Sequence, residues 1–267
     1  MSTEPKVTRA EQKAARRAER DAAAAAAEAA AARKRRLAQL GGVLAVAAAI
    51  VAVFIAISAG GTDDGPTKKA GETVAGQTEV TQRFAGIPQA GIVLGQADAP
   101  VTLVEFADMQ CPFCAEFARD GLPTLVEREV RAGTLRVEFR SMAFIGDDSQ
   151  TLARAVAGAG AQGKLWQALD LFFINQGREN SGYADDAFVR TTLSGIPGLD
   201  VDKAIADGEG SAGTEAINQA QQLADQNGIS STPSFLIGKT GGKLEKLELS
   251  SLDGSQIRDK VQELAGT

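Results

Sequence analysis

The sequence predicts an α/β fold with a helical insertion, preceded by a single transmembrane helix. Three observations carry this. Val101 to Ala107 is an apolar, β-branched run that ends in a polar turn and a helix start, and a second strand-like run follows at Leu135 to Arg140. Helical patterns with no strand candidate fill residues 148 to 226 before strand character returns at Ser234. An uncharged apolar stretch runs from Leu37 to Ala59.

Charge divides the 267 residues unevenly. Residues 1–36 hold ten Lys/Arg and five Asp/Glu, so they carry +5 by count, and the rest of the chain carries −11 of the net −6. An acidic body argues against nucleic acid as a partner, because that surface needs a basic face. The sequence has no histidine and two cysteines. A Cys-His nucleophile pair and a His-ligated metal are excluded, and two thiols alone do not complete a structural zinc site. No metal or cofactor is expected.

In chain order, residues 1–36 form a charged, Ala-rich segment of high helix propensity without a continuous apolar stripe. Residues 37–59 are long enough to span a bilayer core of roughly 20 residues. Arg33-Lys34-Arg35-Arg36 lies directly before them, which keeps the N-terminus cytoplasmic and sends the acidic body outside. A cleaved signal peptide is the rival reading; it needs an unusually long charged leader, and it exports the same body. Residues 60–83 read as a flexible linker with little to bury. The folded domain is expected over 84–267, with a short edge strand within Gly91 to Gly95.

The chemistry is concentrated in Cys111-Pro112-Phe113-Cys114. Apolar residues after Cys111 recur at Cys114, Phe117, Ala118, Leu122, Leu125, Val126 and Val130, in steps of three and four. Pro112 suits a first helical turn, Pro123 predicts a kink, and Gly133 a stop. With strands on either side this is a βαβ unit, which implies a parallel pair. Cys111 at the helix start has its thiolate stabilised and leaves readily. Cys114, one turn inside, resolves the mixed disulfide. A purely structural disulfide is the alternative, but so small a loop gains little entropy. Glu105 interrupts the apolar strand on the same face as Leu103. It is either a buried acid that shuttles the resolving thiol's proton or an edge glutamate reaching solvent.

Downstream, Asp148 to Gln176 is helical with a break at Gly163, and its aromatic residues read as core. Helices follow at Ala184 to Leu193, at Asp202 to Ala206 and at Thr214 to Gln226, with Asn227-Gly228 as a stop. A strand opens after Thr232-Pro233, turns at Gly241-Gly242 and pairs with Lys243 to Leu249, and a helix closes the chain from Gly254 to Leu264.

From Ile87 to Ala265 this order resembles the DsbA-like thiol oxidoreductases of the thioredoxin fold, in their membrane-anchored bacterial form. The likeness rests on strand–Cys-Pro-Phe-Cys–helix, the helical insertion, Thr232-Pro233 before a strand, and Glu105 six residues before Cys111. It implies a thioredoxin-like fold, a cis Pro233 packed against the Cys111–Cys114 pair, and a buried acid at Glu105. It further implies substrate binding at Thr232, Pro233, Pro112 and Phe113, with an extended substrate chain added as a strand. The chain departs from the best-known member by carrying Phe113 where that one has His. The expected partners are exported cysteine-containing proteins and a membrane redox partner that recycles the pair. The expected activity is protein thiol–disulfide exchange, as an oxidase; a reductase of particular exported cysteines and a non-catalytic tethered module are the alternatives.

Overall fold

The structure is a computed structural model that describes residues 74–266. The charged segment 1–36 and the transmembrane helix expected at 37–59 lie outside the described residues. Among the described residues no helix is long and apolar enough to cross a membrane.

The described chain starts with helix α1 (Gln77–Phe84), followed by two short strands, β1 (Gln89–Ala90) and β2 (Val93–Leu94). Strand β3 (Val101–Ala107) leads into α2 (112–130), and β4 (Leu135–Ser141) follows. The insertion comprises α3 (Asp147–Gly160), α4 (Leu165–Ile174), α5 (Asp186–Ser194), α6 (Val201–Glu209) and α7 (Ser211–Gln226). Strands β5 (Ser234–Lys239) and β6 (Glu245–Leu247) and helix α8 (Ser255–Ala265) complete the fold.

The strands form one sheet in the order β1-β2-β4-β3-β5-β6. β3 and β4 run parallel, as a βαβ unit requires, and β5 joins β3 antiparallel. All seven residues of β3 are buried, which is what an unalternating apolar run means in a central strand. Its two faces meet different partners. Val101 and Leu103 join the larger core with α2, α4 and α8, whereas Val104 and Phe106 pack with Met142, Ala224, Ile229 and Leu236.

Several elements differ in extent from the sequence expectation. Of the linker expected over 60–83, residues 60–73 lie outside the described residues, and residues 77–84 form α1. Val80 and Phe84, four residues apart, are buried, and the Phe84 ring centroid lies 6.5 Å from that of Trp166. At Pro123, where a kink is expected, α2 runs on. The helix widens beside it, with i→i+5 bonds from Leu122 N–H to the Phe117 carbonyl and from Arg131 N–H to the Val126 carbonyl. Such widened turns absorb a residue that has no N–H to donate. The strand expected over 243–249 contracts to β6, and the helix expected at 202–206 grows to Val201–Glu209.

The insertion is held by a glycine-lined crossing. A Cβ at Gly158 of α3 would lie 1.8 Å from the Ala204 carbonyl oxygen of α6. The two backbones approach too closely for any side chain at that position. This locks α3 and α6 of the insertion together.

Candidate active site

Cys111 is the N-cap of α2, with extended backbone (φ −70°, ψ 120°), and its carbonyl accepts from Ala115 N–H at 3.1 Å. Pro112 occupies the first helical turn. Both cysteines are free thiols. The Thr232–Pro233 peptide is cis, and it brings the Thr232 carbonyl to the first sulfur: Cys111 Sγ–H donates to it at 3.4 Å. The stretches that the sequence separates by 121 residues therefore meet.

The two sulfurs differ in chemistry. A hydrogen bond from the Cys114 thiol brings the Cys111 thiol down to about 6, helped by the Thr232 side chain and the N–H groups of Cys114 and Phe113 and opposed by partial burial. The helix-end N–H groups are thus only part of the cause; the partner thiol is the largest. Cys114 has no exposed surface, and burial pushes its thiol well above the ordinary range. The donated hydrogen bond and the negative charges of Cys111 and Glu105 push the same way. One thiol is poised as nucleophile and leaving group at neutral pH, while the other is held protonated.

Glu105 is buried, at 1 % exposure, so the solvent-reaching alternative is not what the structure has. Its neighbours across the sheet are Phe139 and Phe235, and burial lifts its carboxyl to about 8, with the charge of Asp170 adding to the rise. Asp170, on α4, is paired with Arg83 of α1. Neither residue was read as functional from sequence. Asp170 had one available signal, a lone charge inside Leu165-Trp166-Gln167-Ala168-Leu169-Asp170-Leu171-Phe172-Phe173. Arg83 had none, since it fell in the stretch taken for linker.

Asp108 is a third residue that the sequence showed only as part of a turn. It is completely buried and ties two loops together. Its Oδ1 accepts from Gln110 N–H at 2.9 Å and Ser149 Oγ–H at 2.5 Å. Its Oδ2 accepts from the N–H groups of Phe144 and Ile145 at 2.9 and 3.0 Å. Gln176 adds a second tie, donating to the Met109 and Cys111 carbonyls at 2.9 and 3.1 Å. The active-site turn is thus pinned from the insertion on both sides. At its rim Phe113 and Phe144 stand 60 % and 51 % exposed. Among the described residues no group of His, Cys, Asp or Glu is arranged to hold a metal ion.

A family model described as Thioredoxin matches residues 88–249, more than half of the chain. The chain belongs to the thioredoxin family. Within that family it is 28 % identical over 147 residues to a probable disulfide bond formation protein D of Bacillus cereus, covering 54 % of this chain and 68 % of that protein. Its fold is similar to that of oxidised BdbD from Bacillus subtilis, with a TM-score of 0.57 at 19 % identity over 68 % of this chain and 98 % of that one. It is also similar to DsbA2 of Pseudomonas aeruginosa, with a TM-score of 0.52 at 26 % identity over 68 % and 97 % of the two chains. The insertion and the return through β5 and β6 are therefore features of a thioredoxin-family fold of the DsbA type.

Proposed function

We propose that this chain donates disulfides to exported cysteine-containing proteins from the outer face of a cell membrane. It is a thiol–disulfide oxidoreductase, and the unequal thiols of Cys111 and Cys114 carry the reading. A thiol held near 6 is largely thiolate at neutral pH, which stabilises the dithiol form and makes the disulfide form a ready oxidant. The disulfide bond formation protein among its relatives supports the same direction.

In the forward reaction a substrate thiolate attacks Cys111 Sγ of the Cys111–Cys114 disulfide. The S–S bond breaks and its electron pair leaves on Cys114, which takes a proton from Glu105. A second substrate thiolate then attacks the substrate sulfur of the mixed disulfide, and Cys111 departs as the stabilised thiolate. The substrate loses two electrons and the cysteine pair gains two. A membrane redox partner removes them and restores the disulfide. Thr232, beside cis-Pro233, offers its backbone to an extended substrate chain, and Pro112 and Phe113 offer the apolar surface next to Cys111. The apolar residues 37–59 behind four basic residues support a single-pass anchor with the N-terminus in the cytoplasm.

The test is the reduction potential of the purified full-length protein in glutathione buffers. A value near about −120 mV is expected for a disulfide donor. A value near about −270 mV would overturn that direction and make the protein a reductase. A pair that resisted reduction throughout would remove the enzymatic reading.

A further inference from the structure

Behind Cys114 lies a set of charged groups drawn from three elements. Glu105 projects from β3 between Phe139 and Phe235, its neighbours on β4 and β5. Cys114 of α2 acts on it from the active-site side. Asp170 of α4 acts on it from the insertion. Trp166, one turn before Asp170, has its ring centroid 6.3 Å from that of Phe139, which seats this face of α4 over the Glu105 position. Asp170 in turn receives Arg83 of α1, and Arg83 also holds Glu79 at the surface. Helix α8 adds the apolar Ile257 and Val261 to this core, with the partly buried Leu264 and Ala265 packed against it. Asp170 is completely buried, and the Arg83 side chain is 10 % exposed. Asp170 Oδ1 and Glu105 Oε2 make no hydrogen bond to any described residue.

Two buried carboxyls that act on each other do not both ionise readily, and their protons come off as a pair. What decides which one keeps the proton is the cation beside one of them. We propose that Arg83 is a positioning residue of the redox site: it assigns the charge of this pair to Asp170 and leaves the proton on Glu105, beside Cys114. The proposal rests on the exchange reaction above, in which Glu105 supplies the proton to the departing Cys114.

Burial raises both carboxyls, but the Arg83 guanidinium is paired with Asp170 and favours its charged form, whereas burial and the Asp170 charge both raise Glu105. Asp170 therefore ionises first. Its negative charge then opposes a second charge on Glu105, which holds its proton. When a substrate thiolate opens the disulfide, the O–H bond of Glu105 breaks and the S–H bond of Cys114 forms. On reoxidation Cys114 returns that proton to Glu105 as its sulfur attacks. Without the guanidinium, Asp170 stands buried with no counter-charge and becomes the harder of the two to ionise. The order reverses, Glu105 becomes the carboxylate, and its charge opposes the electron pair arriving on Cys114. A residue in the first helix of the described domain, far from the cysteines in sequence, thus acts on the resolving sulfur through two side chains.

The test is a carboxyl-carbon NMR titration of the full-length chain in its dithiol form, with the Glu105 and Asp170 signals assigned by Glu105→Gln and Asp170→Asn. Asp170 is expected to titrate before Glu105 in the native protein and after it in Arg83→Gln, with Arg83→Lys restoring the native order. Stopped-flow oxidation of a dithiol peptide at pH 7.5 is expected to slow about tenfold in Arg83→Gln, within the range of a lost proton donor. An unchanged order in Arg83→Gln overturns the proposal. Should Arg83→Gln not fold, Asp170→Asn decides: a Glu105 midpoint lowered by about one pH unit supports the coupling, and an unmoved midpoint refutes it. The titration order is read without any substrate. A native protein that exchanged no disulfides would remove the functional reading while leaving this order measurable.

Discussion

Two sulfurs one helical turn apart occupy opposite surroundings. Cys111 faces an edge made of backbone groups, the Thr232 carbonyl and the first N–H groups of α2, beside the exposed Phe113. Cys114 faces an interior of aromatic side chains and the buried carboxyl of Glu105. The difference teaches that a Cys-x-x-Cys pair is not a symmetric device. The edge supplies hydrogen bonds that favour the charged sulfur, and the interior withdraws water and favours the neutral one. The proposed direction of exchange rests on that gradient rather than on either thiol alone.

The most severe way to break the comparison is to remove one sulfur at a time. Cys111→Ser should abolish exchange with protein thiols, a loss of more than about 1,000-fold, and should trap no mixed disulfides, because the accessible sulfur is gone. Cys114→Ala should lose turnover equally yet accumulate mixed disulfides visible on non-reducing gels. It should also raise the Cys111 midpoint above about 6 in thiolate absorbance at 240 nm, since the Cys114 thiol is the largest cause of its depression. Because the thiol is a lowered acid, thiolate stabilisation of the dithiol protein is complete above the ordinary value of about 9 and is lost as pH falls through about 6.

Glu105→Gln should come next and should separate activity from stability. Loss of the proton donor is expected to slow disulfide donation by about 100-fold at pH 7. The same change should stabilise the fold by about 2 kcal/mol at pH 8 in urea unfolding of the dithiol form. A carboxyl raised from 4.5 to about 8 favours the folded state fully below 4.5, and that advantage is lost as pH rises through about 8. Glu105→Gln should therefore give no gain at pH 4. Equal stability of the two proteins at pH 8 would mean that the interior does not oppose charge in this way.

Asp108→Asn tests whether the edge depends on its ties. It keeps the size of the side chain but weakens four hydrogen bonds to the active-site turn and to the loop carrying Phe144. A loss of about 1–3 kcal/mol of stability is expected in the same unfolding measurement, with exchange slowed about tenfold. The smallest expected effect belongs to the rim. Phe144→Ser should slow oxidation of an unfolded protein substrate about threefold while leaving exchange with glutathione unchanged, because only the larger substrate reaches both Phe113 and Phe144. Equal slowing with both substrates would place Phe144 in the support of the turn rather than on a substrate surface.

The strands and helices were readable where a residue's neighbours in sequence are also its neighbours in structure. The apolar run of β3, the three-and-four spacing after Cys111, and the stops at Gly163 and Gly228 are local patterns, and each became the expected element boundary or core face. Helix α1 was not readable, because its only apolar contacts are Val80 and Phe84 among polar residues, too few to mark a face. Its order comes from packing on α4, which local propensity does not encode.

By itself the sequence determined the Cys-x-x-Cys pair at a helix start, the parallel βαβ unit around it, the helical insertion, and an acid six residues ahead of the first cysteine. These follow from residue type, spacing and periodicity. The meeting of Thr232 with Cys111 rested there on family resemblance, and tertiary structure made it a contact. Tertiary structure alone decided that Asp108 ties the active-site turn to the Phe144 loop, and that Glu105 answers to Asp170 and Arg83. The last two of these groups stand 87 residues apart in the chain. The physical reason is that burial and charge act through space. A carboxyl's proton is set by the water it has lost and the charges around it, and both are properties of the assembled core.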